Sequence, residues 1–368
     1  MISLPHEDTR RLLHVFSTFA VGGPQVRFCT LVDRLGPGWH HDIVAMDGNL
    51  ACRERLPPGA PVGFPLVRMR KGETLGNARR FFHALRALQP DLLVTYNWGS
   101  IEWAMANFFA RLPHVHIEDG FGPEERNRQL PRRVRLRRLL LRRATVALPS
   151  RTLWQIATEQ WRLPAAHIRY LPNGILLSRF ADGPAAPWPG DGPVIGTVAA
   201  LRAEKNLPRL LRAFALLRRD RPARLVPPRL VIVGDGSERA GLAALAVSLG
   251  VGDSVIFAGH MAATETAYRS FTLFALSSDT EQMPLSVLEA MASGLPVAAT
   301  DVGDVAAMLA EENRPFVVAL DDAALASAMA ALLDRPDLAR EVGMANRARA
   351  AAEYDEAAMV RSYAELFG

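Results

Sequence analysis

Short apolar runs recur along the chain, separated by stretches in which apolar positions return every three or four residues. The first pattern is that of buried strands and the second that of helices. Strands are predicted at 11–17, 41–46, 92–97, 114–117, 145–149 and 168–171, with helices at 24–35, 75–88, 101–110, 131–142 and 152–161. Such alternation predicts a mostly parallel, doubly wound sheet. Residues 181–193 (ADGPAAPWPGDGP) interrupt the rhythm with Pro and Gly and read as a linker. A second series follows, with strands at 194–199, 230–233, 255–258, 273–277, 296–300 and 316–319, and helices 336–352 and 356–366 close the chain. The expected fold is therefore α/β, with two Rossmann-like doubly wound domains facing each other across a cleft. The first covers 1–175, a linker 176–192, and the second 193–354. Open sheets of this class bind ligands at the carboxyl ends of their strands.

Length agrees, because 368 residues exceed what a single core usually organises. Apolar content of 49% with 22% charged residues is ordinary globular composition. The opening MISLPHEDTRR lacks the apolar core of a signal peptide, and no run approaches a membrane span, so a cytoplasmic protein is expected. Cys29 and Cys52 are too few for a disulfide framework or zinc cluster and read as buried, reduced side chains. The net charge of +5 is uneven: residues 123–143 carry nine Arg against two Glu, a local +7 that leaves −2 elsewhere. Arg132, Arg135, Arg138 and Arg142 recur at helical spacing, with Leu136, Leu139 and Leu140 on another side. A single basic stripe of this kind suits an anionic membrane surface or a solvated helix face, whereas a nucleic-acid grip would spread over a broad face with interleaved aromatics.

Candidate chemistry concentrates at 279–289 (DTEQMPLSVLE), where Glu281 and Glu289 stand eight positions apart around a helix start that follows an apolar strand. Pro284 suits the first helical position. Met283 then occupies the cap and has no side-chain oxygen, so the amides of Leu285 and Ser286 lack a protein acceptor. A diphosphate there would meet free N–H groups and the positive end of the helix dipole, and each carboxylate would accept hydrogen bonds from sugar hydroxyls. Arg202 and Lys205 lie in GTVAALRAEKN (196–206), between a strand and a helix, where cations would neutralise a diphosphate. Gly234 and Gly236 of VGDGS end another strand with the small residues that a sharp turn or a close ligand requires. In the first domain, Gly22-Gly23 precedes a helix, where bare backbone would approach a donor phosphate or the acceptor or simply make a tight turn, and HVHIEDG (114–120) puts His116, Glu118 and Asp119 at a strand end expected to face the cleft.

Together these residues resemble the family 4 retaining glycosyltransferases of the GT-B fold, most specifically through EQMPLSVLEAMASGLPVAAT (281–300), which matches the family's E-x7-E motif. Also similar are the early Gly-Gly loop, LPNGI (171–175), AEKN, VGDG and the final helix 355–368, which in the family crosses back to the first domain. The resemblance implies a nucleotide-sugar donor, a glycan or lipid-linked acceptor in cell-envelope or exopolysaccharide synthesis, retention at the anomeric carbon, and neither an essential metal nor another cofactor. Position by position it implies that Glu281 binds the donor sugar, Glu289 the ribose and Lys205 the diphosphate, with His116 beside the reacting centre. Ala200 stands where the family commonly has Arg, so Arg202 is expected to supply that contact, and Gln282 replaces a usual Gly. The alternatives are a sugar-nucleotide 2-epimerase of the same fold, or a membrane or nucleic-acid binding module using the Arg-rich helix.

Overall fold

The computed structural model describes residues 9–125, 128–222 and 225–368. It divides into two compact units, 1–172 with 359–368, and 173–358. The first is built on a seven-stranded parallel sheet, β1 (Arg10–Phe16), β2 (Trp39–Ala45), β3 (Val62–Gly63), β4 (Leu92–Tyr96), β5 (His114–Ile117), β6 (Thr145–Leu148) and β7 (Ile168–Tyr170), in the order β3-β2-β1-β4-β5-β6-β7. Six of these strands were expected. β3 was not, because two residues are too few to show alternation. The β1–β4 neighbours are separated in sequence by β2 and β3, so the connections diverge there and leave a crevice at the carboxyl ends.

Aromatic residues fill this unit: Phe16 stacks on Tyr96 with centroids 3.9 Å apart, and Phe81 on Trp103 at 4.5 Å. The final helix, Glu356–Phe367, contributes Met359, Tyr363 and Phe367 to the core around Leu12, Phe16 and Phe28. Burial of each such side chain stabilises by about 1.5–3 kcal/mol, which is why so distant a helix belongs to this unit. Cys29 and Cys52 are buried free thiols, as expected, with their sulfurs 3.8 Å apart.

The second unit holds a six-stranded parallel sheet of β8 (Val194–Val198), β9 (Arg229–Val233), β10 (Val255–Gly259), β11 (Leu273–Leu276), β12 (Val297–Thr300) and β13 (Val317–Val318), ordered β10-β9-β8-β11-β12-β13. Both faces are apolar, one packed with Tyr268, Phe274, Val287 and Met291, the other with Leu211, Phe214, Leu325 and Met329. The segment 176–192, expected as a linker, is part of this unit. Phe180 is 1% exposed, and the Trp188 indole donates to Ser270 Oγ at 2.6 Å. The segment opens with the short helix Leu177–Phe180 and continues irregularly, held to the unit by these two aromatic side chains. The chain passes between units at 172/173 and 358/359.

Candidate functional site

In the second unit the loops at the carboxyl ends of β8, β9, β11 and β12 are locked together. Gly234 has φ +131°, and a Cβ there would lie 1.9 Å from Ala199 O; at Gly236 it would lie 2.5 Å from Leu201 O. The close approach for which these glycines were singled out is thus to protein carbonyls. They let the 199–201 and 233–236 loops pair, with Ala199 N donating to Val233 O and Leu201 N to Asp235 O, both at 3.0 Å.

Lys205 and Glu281 come together: Nζ lies 2.6 Å from Glu281 Oε1, which also accepts from Ser278 Oγ at 2.7 Å. Both side chains retain some exposure, 24% and 10%. An ammonium carries three donors, so Lys205 keeps capacity for a further anion. Arg202 is exposed on extended backbone at φ −129°, ψ 157°.

Glu281 rests on a residue that the sequence reading passed over. Gly303 has φ +54°, and a Cβ on it would sit 2.1 Å from Glu281 O, so only glycine lets the 301–304 loop pass beneath. Asp304 N donates to Gln282 O at 3.0 Å and Thr300 Oγ1 to Ser278 O at 2.7 Å, completing the support. The signal was a Gly shortly after a predicted strand.

The helix beyond spans Leu285–Ala292, with Pro284 as its cap at φ −68°, ψ 123° and no side chain capping its first turn. Pro284 therefore sits one position earlier than expected, and Met283 is not the cap. Met283 is 6% exposed; its sulfur accepts from Asn173 N at 3.2 Å and its carbonyl from Asn173 Nδ2 at 3.1 Å. This explains the LPNGI segment, whose Asn anchors the turn. The first-turn amides of Leu285 and Ser286 belong to a helix with no capping side chain and no acidic residue in its first turn, a place suited to an anion.

Glu289 lies one turn further in. Burial pushes its carboxyl up to about 7, opposed by a Tyr268 hydrogen bond and by Arg179, while Glu265 reinforces the rise. The Tyr268 hydroxyl also lies 3.1 Å from Ser286 O, so its one proton is shared between that carbonyl and Glu289.

In the first unit the expectations fare differently. Gly22 caps the helix Gly23–Leu35 at φ −165°, ψ 168°, extended backbone open to any residue, and a Cβ there would meet the Gln25 side chain at 2.8 Å. His116 does not reach the surface. It is fully buried, with Nδ1 2.8 Å from Thr95 Oγ1 and Nε2 3.6 Å from Glu118 Oε2. Glu118 is equally buried and takes Arg137 Nε at 3.3 Å. Arg137 itself, on the helix Pro131–Leu140, lies among the rings of Trp98, Phe121 and Trp161 at 4.9–5.2 Å. Residues separated along the chain thus bury the ionic face of that helix, which a single-helix reading cannot reveal.

Of the three residues at the end of β5, Asp119 alone keeps some exposure, 12% of its side chain. Its carboxylate takes both terminal nitrogens of Arg27, at 2.6 and 2.9 Å, and its amide donates to Asn97 Oδ1 at 2.7 Å. Asn97 sits at φ +55°, ψ 178°, a strained conformation for a residue with a side chain. Arg27 and Asn97 were not foreseen, being 92 and 22 positions from Asp119.

The basic stripe is only partly free. Arg132, Arg135 and Arg142 are exposed, but Arg138 donates to Trp161 O at 3.1 Å and Gln160 O at 3.0 Å. Arg126, within the same run, lies outside the described residues. No group of His, Cys, Asp and Glu among the described residues is arranged to hold a metal ion, and no helix among them is long and apolar enough to cross a membrane.

Residues 22–174 match the glycosyl transferase 4-like domain model and residues 179–349 the model for glycosyl transferases group 1. The D-inositol 3-phosphate glycosyltransferase of Nocardia farcinica is 29% identical over 291 residues, covering 71% of this chain and 62% of that protein. A GDP-mannose-dependent alpha-(1-6)-phosphatidylinositol monomannoside mannosyltransferase of Mycolicibacterium smegmatis is 31% identical over 201 residues, 50% of this chain and 52% of its own length. The matches span between 42% and 62% of the length of the first curated relatives. Among solved structures, Anabaena HepE in complex with UDP and glucose superposes with a TM-score of 0.79 at 19% identity, covering 97% of this chain and 98% of that one. WaaG, a glycosyltransferase involved in lipopolysaccharide biosynthesis, superposes at 0.71 with 18% identity, covering 97% and 99%. With its two halves matched in succession by these models, the chain belongs to the family 4 glycosyltransferases and has their GT-B fold.

Proposed function

We propose that the protein transfers a sugar from a nucleoside-diphosphate sugar to a glycan or lipid-linked acceptor, with retention at the anomeric carbon and without an essential metal. The observation that carries this reading is the Lys205–Glu281 pair, beside the uncapped start of the helix Leu285–Ala292 and at the carboxyl edge of a doubly wound sheet. In this reading the diphosphate takes the free donors of Lys205, the Arg202 guanidinium and the amides of Leu285 and Ser286. These are the charges that stabilise a departing nucleoside diphosphate. Glu281, held by Ser278 and Lys205, accepts hydrogen bonds from the sugar, and Glu289 accepts them from the ribose diol. The leaving phosphate takes the acceptor's proton on the face it vacates, so no side-chain nucleophile is required.

A nucleotide-sugar donor is supported by the complexes of HepE with UDP and with UDP-glucose. The relatives' names point toward inositol phosphate and phosphatidylinositol mannoside acceptors. We assign no catalytic part to His116, whose burial argues against contact with a ligand. The protein would act in the cytoplasm, with acceptor delivery at a membrane surface.

A thermal-shift screen of UDP-, GDP- and ADP-sugars tests the donor, since a ligand held by the native state raises Tm by mass action. The donor that binds should also be turned over in chelator. Glu281→Gln and Lys205→Ala should each lower kcat/KM by about 100-fold or more, the scale of losing one preorganised electrostatic contact. Wild-type turnover in either variant would remove the assignment, and loss of activity in EDTA restored by manganese would remove the metal-free mechanism.

A further inference from the structure

Lys205 and Glu281 are 76 positions apart on different loops, and an ion pair between two side chains does not fix the backbones that carry them. A second set of contacts does. Ser277 Oγ donates to Lys205 O at 3.0 Å, Asp279 N to Glu204 O at 2.9 Å, and Asn206 Nδ2 to Asp279 Oδ1 at 2.9 Å. At the centre of this seam lies Arg209, a cation only 8% exposed. Its Nη1 donates to Ser277 O at 2.8 Å and stands 2.7 Å from Asp279 Oδ1, while Nε lies 4.0 Å from Asp322 Oδ1. Asp322 is itself held by Arg212 at 2.5 Å, so its charge is shared.

The neighbouring Asn206 adopts φ +40° and caps the helix Leu207–Asp220 by accepting from Arg209 N at 3.2 Å. The same residue thus sets the start of the helix that carries Arg209 and bonds the loop that Arg209 grips. A guanidinium this deep is costly unless its donors are satisfied, and its partners are the carbonyl and carboxylate of the segment leading to Glu281. A residue that only neutralised Asp279 would have no need of Ser277 O, which is the bond that registers the backbone.

We propose that Arg209 is a positioning residue for the donor site. Its guanidinium locks the 277–281 loop onto the 203–206 segment and thereby sets the separation of Lys205 from Glu281. This rests on the reading of those two residues as donor-binding. Lysine should reproduce the effect only in part: an ammonium can meet the carbonyl and the carboxylate that Nη1 holds, but it lacks the planar guanidinium that fixes that nitrogen's position.

The test compares full-length Arg209→Lys, Arg209→Met and the double variant Arg209→Met/Asp279→Asn, the last removing both charges together. In the absence of ligand, hydrogen exchange of amides 203–206 and 277–283 should quicken at least tenfold in the double variant while β9 and β12 keep wild-type protection. With the nucleotide sugar that wild type turns over, KM should rise at least tenfold in the double variant, more than kcat falls, and Arg209→Lys should lie between. Wild-type exchange at 277–283 would overturn the proposal, as would equal acceleration throughout the second unit, the mark of a merely structural cation. If wild type turns over none of the UDP-, GDP- or ADP-sugars, the donor reading fails, and the exchange measurement still decides whether Arg209 restrains the loop.

Discussion

At the scale of single residues, Glu289 makes the donor reading sensitive to pH. Its carboxyl is pushed by burial from 4.5 up to about 7, so it is largely protonated just below neutrality. A ribose diol donates two hydrogen bonds best to an ionised carboxylate, which accepts on both oxygens. Nucleotide affinity should therefore strengthen as pH rises through about 7 and flatten in Glu289→Gln, measurable by calorimetric titration between pH 5.5 and 8.5. An equally steep rise in Glu289→Gln would show that another group sets the profile. The sign for stability is the reverse. A carboxyl raised in the folded state stabilises while protonated, and that contribution is lost as pH climbs from 4.5 to about 7, where the unfolded chain binds fewer protons.

What was legible in the sequence at this scale was what lies close in the chain. Glu281, Pro284 and Glu289 share one turn and one helix, so spacing alone placed them together. Lys205 joined them through its position after a predicted strand, and the 2.6 Å contact with Glu281 followed from the shared sheet edge. His116 misled because a strand end suggests exposure, whereas Thr95 on β4 and Glu118 close over the ring from neighbouring segments. Arg27, Asn97 and Arg209 carried no signal, since each acts through a partner that only the tertiary fold supplies.

At the scale of elements, the boundaries found from periodicity hold for most strands, and the misreadings arise where composition stood in for packing. Pro and Gly at 181–193 suggested a free linker, yet Phe180 and Trp188 bind that region to the second unit. The Arg-rich helix Pro131–Leu140 combines both outcomes. Arg137 is drawn inward by Glu118, Glu125 and three aromatic rings, and Arg133 pairs with Glu124 and Glu125. The outward side keeps Arg132, Arg135 and, past the helix end, Arg142, along with Leu139 at 59% exposure. Each exposed cation near an anionic leaflet contributes about 1 kcal/mol. Replacing Arg132, Arg135 and Arg142 by Gln should therefore weaken binding to phosphatidylserine vesicles by roughly 100-fold at low salt, with transfer to a soluble acceptor analogue unchanged. Binding of wild type and variant that is equal, or indifferent to salt, would return the stripe to a solvated helix face.

At the scale of the whole molecule, the two units have separate cores but exchange chain twice, and the last exchange places the C-terminal residues in the core of the first. Phe367 is 1% exposed, packed edge-on to His14 at 5.8 Å, and Tyr363, equally buried, lies under the Arg27 guanidinium at 5.7 Å. The final helix thus supports the residue that holds Asp119, while Arg202, Lys205, Glu281, Leu285, Ser286 and Glu289, to which the proposed function gives the donor, belong to the other unit. Phe367→Ala should cost the first unit about 3–5 kcal/mol, the usual result of emptying a buried aromatic site. Such a loss is comparable with the whole stability of many domains, so the first unit should melt well below the second. Heating the variant with and without UDP would then give two transitions, of which only the upper shifts with nucleotide. A single transition that moves as a whole with UDP would show that the units unfold together, and a lower transition that responds to UDP would place nucleotide-binding groups in the first unit.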